Sequence, residues 1–238
     1  MTDIHWSHPI QVFWEGREAQ SSKQREKGTL DVGSRGAVTG GQHLGALAAA
    51  IADLFTSDER IPLEVKSNGR IRLPGYYRPT KDWDIVVTYQ GILVAAIELK
   101  SQVGSFGNNF NNRTEEAIGN AIDLLRAYDA GLIGPIRPWL GFVMILEKTD
   151  ESTNFSDPAA TMFPTDTRFC HTSYLDRYRI LFQRLRDDGI YNAAVVVATE
   201  KGKTDIDESV PGLSFANFAI EVTKRIDQIV EISKLGDR

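Results

Sequence analysis

The stretch Lys81-Asp-Trp-Asp-Ile-Val-Val-Thr-Tyr-Gln-Gly-Ile-Leu-Val-Ala-Ala-Ile-Glu-Leu-Lys100 holds two apolar, β-branched runs, Trp83 to Tyr89 and Ile92 to Leu99, separated by Gln90-Gly91. Two such runs around a short glycine-containing break read as a β-hairpin. Polar residues stand where the pattern calls for apolar ones: Asp84 opens the first run, and Glu98 and Lys100 close the second. Side chains alternate along a strand, so Glu98 and Lys100 share one face and Leu99 takes the other. A turn at Gln90-Gly91 brings Asp84 beside Glu98, about six residues back meeting about seven forward.

Outward from the hairpin the chain alternates strands and helices. Upstream, Ile10 to Lys27 reads as a helix, Gly33 to Gly41 as a glycine-rich bend, and Gln42 to Phe55 as an alanine-rich helix with Leu44, Leu47, Ile51 and Phe55 on one side. Arg70 to Tyr77 is short and extended. Downstream, Ser101 to Asn112 reads as a polar loop, and Thr114 as the N-cap of a helix reaching about Ala130. Trp139 to Leu146 and Asn192 to Thr199 are buried strands; Tyr174 to Asp188 and Ser214 to Ser233 are helices, and Thr149 to Thr172 is irregular. The expected architecture is α/β: a mixed central sheet flanked by helices, one domain over residues 1–238 with a helical N-terminal segment.

The 238 residues carry 27 Lys+Arg and 32 Asp+Glu, a formal net charge of −5, which excludes a uniformly basic protein that coats nucleic acid by bulk charge. Cys170 is alone, so an intramolecular disulfide and a cysteine-rich zinc site are excluded, and a reducing cytoplasm is the expected compartment. Met1 to Glu15 does not read as a signal peptide, and no apolar stretch approaches the roughly 18–20 residues of a membrane span. His5, His8, His43 and His171 lack metal-finger spacing.

Crowded carboxylates repel and raise one another's pKa unless a cation relieves them. Oxygen ligands suit magnesium, which takes one or two protein carboxylates and keeps its other positions for water and substrate phosphate. Asp84 and Glu98 fit that demand, and Lys100 is placed to orient an attacking water and offset charge on a phosphoryl group. The bare spacing of an Asp and a Glu-x-Lys is weak by itself, since the same residues make an ordinary salt bridge at a strand end. Its place on two adjacent strands, before an Asn-rich stretch and a helix, favours catalysis.

At these residues the sequence resembles the XhoI family of Type II restriction endonucleases, within the PD-(D/E)xK nuclease superfamily. The resemblance rests on Asp31-Val-Gly-Ser-Arg-Gly-Ala-Val-Thr-Gly-Gly41, Lys81-Asp-Trp-Asp84, Ile97-Glu-Leu-Lys-Ser-Gln102 and Ser105-Phe-Gly-Asn-Asn-Phe-Asn-Asn-Arg-Thr-Glu-Glu-Ala117. It implies a restriction-endonuclease-like fold and Mg2+-dependent hydrolysis of double-stranded DNA within the palindrome CTCGAG, leaving a 5′ overhang. Asp84 and Glu98 would be the metal ligands and Lys100 the residue assisting the water. Trp83 stands where the superfamily has proline, which makes Asp82 the competitor for the aspartate position; Asp84 is preferred because the apolar strand follows it directly. A palindromic target implies a symmetric homodimer, and restriction implies a cognate DNA methyltransferase in the host.

From Arg60 to Arg113 the chain holds eight bases against four acids, a local net of +4 that leaves −9 for the rest. Arg35, Arg78, Lys81, Gln102, Asn108, Asn109, Asn111, Asn112 and Arg113 are the candidate DNA contacts, through phosphates or base edges. An Asn/Gly stretch is equally the composition of a turn. Two rival functions stand beside restriction: a repair or recombination nuclease that reads DNA structure, and a catalytically silent DNA-binding module.

Overall fold

A computed structural model describes residues 5–26, 43–67 and 69–236. Arg35, the glycine-rich bend and Gln42 lie outside the described residues. The helices are α1 (Ser7–Glu26), α2 (Gly45–Thr56), α3 (Phe106–Asp129), α4 (Asp150–Thr153), α5 (Tyr174–Asp187) and α6 (Phe215–Gly236). The strands are β1 (Glu64–Lys66), β2 (Ile71–Pro74), β3 (Thr80–Trp83), β4 (Ile85–Tyr89), β5 (Ile92–Gln102), β6 (Trp139–Glu147), β7 (Ala193–Thr199) and β8 (Ile206–Asp207).

Six strands form one mixed sheet in the order β1-β4-β5-β6-β7-β8; β5, β6 and β7 run parallel, and the other pairings are antiparallel. The parallel strands are covered on both faces, which is why Trp139 to Leu146 and Ala193 to Thr199 are apolar almost without interruption. On one face Phe13, Leu47, Ile51 and Phe218 bring α1, α2 and α6 against Ile97, Val143 and Val195. On the other, Phe106, Leu124, Tyr178 and Phe182 bring α3 and α5 against Ala96, Phe142 and Val196. Gly141 lies where a Cβ would come within 2.9 Å of Ile97 and Phe218, so only glycine lets these layers close.

The hairpin forms at Gln90-Gly91, both at positive φ, as a tight two-residue turn requires. Its register is not regular. Tyr89 faces Ile92 and Thr88 faces Leu93, but Val87 then faces Ala95 and Ile85 faces Ile97. Val94 is therefore an extra residue in β5, a β-bulge. Val94 and Ala95 both join the α1/α2/α6 core, while Leu93 and Ala96 join the other.

Three expectations are corrected. The first strand of the hairpin is broken at Asp84: Thr80–Trp83 pairs with β2 in a separate two-stranded sheet, and only Ile85–Tyr89 belongs to the main one. The polar loop is almost absent, because β5 runs on to Gln102 and α3 starts at Phe106, after Ser105 at φ 52°. Thr114 is not an N-cap; its hydroxyl donates to the Phe110 carbonyl inside α3. Phe106 is fully buried and Phe110 stacks edge-on to Tyr178, and this packing overrides the weak helix propensity of the asparagines.

Candidate active site

Continued one pair beyond Ile85 and Ile97, the β4–β5 register sets Asp84 opposite Glu98. The break between β3 and β4 turns Asp84 toward β5, where its Oδ2 accepts a hydrogen bond of 2.7 Å from the Leu99 amide. Glu98 is 3% exposed. Its Oε1 lies 2.6 Å from Lys100 Nζ and its Oε2 lies 2.5 Å from Lys81 Nζ. Lys81 Nζ also donates to the Asp82 carbonyl at 2.7 Å and sits 4.5 Å from the centre of the Trp83 ring.

Burial, and next the negative charge of Glu98, push the Asp84 carboxyl up to about 6; the Leu99 amide, Lys100 and Lys81 pull the other way. Burial by itself would lower the Lys100 pKa, but the Glu98 carboxylate outweighs it and holds the ammonium above the usual lysine value. The centre thus packs Asp84 and Glu98 against Lys81 and Lys100, with the two carboxylates still in conflict.

That conflict is what a divalent cation removes. Among the described residues no three or more His, Cys, Asp or Glu side chains gather into a closed metal site. A pair of carboxylates with otherwise open coordination suits a hard cation that also takes waters and substrate phosphate. The side chain of Asp82, the alternative aspartate, is 49% exposed and pairs with Arg72 at 3.1 Å.

The other candidates divide. Asn108 and Asn112 are exposed on the first turns of α3, beyond the end of β5. Asn109 Nδ2 donates to the Ser105 carbonyl, Asn111 Nδ2 to Glu115, and Arg113 pairs with Glu116 at 2.6 Å. Gln102 turns inward, to the Tyr178 hydroxyl and to the carbonyls of Gly104 and Ser105, so it ties β5 to α5 and to the turn before α3 instead of facing solvent. Arg78 is spent on Asp123 at 2.8 Å and Asn120 at 2.9 Å, where Asp123 also accepts the amides of Tyr76 and Tyr77. Lys81 belongs to the carboxylate centre, a role the sequence reading missed although Lys81 stands in the same motif. His43 lies on the opposite sheet face, its Nε2 3.1 Å from Ser101 Oγ.

This fold and site define a class: a nuclease built on the restriction-endonuclease-like α/β core. More particularly, the chain belongs to the restriction endonuclease XhoI family, whose model matches residues 23–209. It is 41% identical over 182 residues to the Type II restriction enzyme XhoI of Xanthomonas vasicola, covering 74% of this chain and 72% of that one. It is 44% identical over 146 residues to the Type II restriction enzyme AbrI of Azospirillum brasilense, 60% of this chain and 65% of that one. It is 36% identical over 181 residues to the Type II restriction enzyme BstVI of Geobacillus stearothermophilus, 72% and 80%. No solved structure matches. The chain is a Type II restriction endonuclease, a site-specific deoxyribonuclease acting on double-stranded DNA. Among the described residues no helix is long and apolar enough to cross a membrane.

Proposed function

We propose that this restriction endonuclease hydrolyses a phosphodiester within CTCGAG on each strand, leaving a 5′ overhang, with Mg2+ held by Asp84 and Glu98. The reading is supported above all by one relationship: Asp84 and Glu98 oppose each other across two strands, with Lys100 seated on Glu98. When bound, a divalent cation supplies Lewis acidity toward the phosphoryl oxygens and acidifies a coordinated water. Asp84 is oriented by the Leu99 amide, and Glu98 orients the Lys100 ammonium. Lys100, kept protonated by Glu98, donates from Nζ to the attacking water and stabilises negative charge on the phosphoryl group. Asn108, Asn112 and Arg113, at the start of α3, contact the duplex beside the cut. The palindrome calls for a homodimer, one centre per strand, working in the cytoplasm beside a cognate methyltransferase that protects host sites.

A plasmid with one CTCGAG site, incubated with the protein and Mg2+, is expected to yield one linear product whose ligated junction reads back the 5′ overhang. A smear or end-dependent products would mean a structure-reading nuclease. DNA binding with no metal-dependent cutting would mean a silent module.

A further inference from the structure

The placement of Asp84 opposite Glu98 depends on one extra residue. From the turn, Tyr89–Ile92 and Thr88–Leu93 start a register in which Asp84 would oppose Ile97. Glu98 and Lys100 would then point to the face where α1, α2 and α6 pack, away from Asp84. The bulge at Val94 moves the register by one and turns both residues over to the side of Asp84.

A bulged residue leaves the ladder, so its backbone groups need partners from elsewhere. Val94 is fully buried, and its carbonyl oxygen is taken by Arg225 from α6, with Nε at 3.2 Å and Nη2 at 3.0 Å. The same Nη2 donates to the Arg137 carbonyl at 2.9 Å, and Nη1 donates to Gln228 at 3.3 Å. Arg225 is 7% exposed. Among the described residues no carboxylate pairs with it, and burial lowers its pKa. A guanidinium held this deep, and spent on main-chain carbonyls, is costly unless the geometry it fixes matters.

We infer that Arg225 is a positioning residue for the catalytic centre: it clamps the Val94 bulge and thereby holds β5 in the register that presents Glu98 and Lys100 to Asp84. It touches none of these three side chains. It lies in α6, outside the matched residues 23–209. The inference rests on the assignment of Asp84, Glu98 and Lys100 as the centre.

The test is Arg225→Met, read in three ways on the purified, folded protein. The Leu99 amide, donated to Asp84, reports the register without reference to cleavage; its hydrogen exchange in the metal-free protein should quicken at least about tenfold. Single-turnover cleavage per folded molecule should fall on the order of a hundredfold, the scale of a misplaced catalytic group. DNA affinity in EDTA should not change. Arg225→Lys, which keeps the charge and one donor, should recover part of both losses, and it takes over the test if the methionine variant does not fold. A variant that lowers only the melting temperature, with Leu99 exchange and cleavage per folded molecule as in the parent, overturns the clamp. Quickened Leu99 exchange with undiminished cleavage keeps the clamp but removes Asp84 and Glu98 from catalysis, so the two failures are separable.

Discussion

Lys81 and Lys100 grip opposite oxygens of the buried Glu98 carboxylate, Lys81 at Oε2 and Lys100 at Oε1. With both oxygens taken, a cation binding at Glu98 would have to compete with one of the two lysines. Lys81→Met should therefore lower the melting temperature in EDTA, by about 1–3 kcal/mol of stability for a lost hydrogen bond to a charged group. It should also tighten divalent-cation binding measured by calorimetry with Ca2+. Unchanged affinity together with unchanged stability would remove Lys81 from the centre.

Activity and stability should separate at the two carboxylates. Asp84→Asn and Glu98→Gln should each cut cleavage by roughly 10³-fold or more while DNA binding persists, since in the proposed mechanism each removes a ligand for the cation. Glu98→Gln also strands Lys81 and Lys100 beside a neutral amide, so it should be destabilised by a few kcal/mol, about 3 by the scale of a broken buried pair. Asp84→Asn relieves a repulsion and should be at least as stable as the parent. Denaturant unfolding of the two variants in EDTA distinguishes these outcomes; equal stabilities contradict them.

The pH dependence follows from Asp84. Its folded pKa, about 6, lies above the ordinary 3.8, so between these values the folded protein keeps a proton that the unfolded chain has lost. The contribution of Asp84 to the stability of the metal-free protein must then fall as pH rises through that window, and the penalty is complete above it. Asp84→Asn has no such titration. Its stability relative to the parent should grow from about pH 4 to about pH 7 by on the order of 1–3 kcal/mol. Parallel stability curves for the two proteins would show that Asp84 is not raised.

Two groups of candidate DNA contacts should behave differently. Arg78→Ala leaves the buried Asp123 short of its partner and should lower stability by about 1–3 kcal/mol, with little effect on DNA affinity in EDTA. Asn108→Ala and Asn112→Ala should leave stability within about 0.5 kcal/mol. If Asn108 and Asn112 read base edges, these variants relax discrimination by roughly 1–3 kcal/mol per contact. Binding of CTCGAG against singly altered sites by fluorescence anisotropy measures this; unchanged discrimination assigns them to phosphate or to solvent.

Much of the fold was readable because burial writes itself into the pattern. Trp139 to Leu146 and Ala193 to Thr199 must be apolar on both faces, so they declare themselves as central strands. Alternation around Glu98, Leu99 and Lys100 was equally open to view. The start of α3 was not, because asparagine-rich sequence reads as turn, and only the packing of buried Phe106 and half-buried Phe110 against α5 makes it a helix. Gln102 and Arg78 carried the composition of DNA contacts; their partners Tyr178 and Asp123 lie 76 and 45 residues away.

By itself the sequence determined the mixed α/β architecture, the hairpin at Gln90-Gly91, and the acids and lysine of the proposed centre. These are local matters of period, turn chemistry and residue type. Tertiary structure decided which residues meet. Leu93 to Ile97 is apolar throughout, so no alternation reveals that Val94 and Ala95 share a face. The bulge exists because two unlike cores and a distant guanidinium accommodate it, and that shift of one residue brings Glu98 and Lys100 round to Asp84.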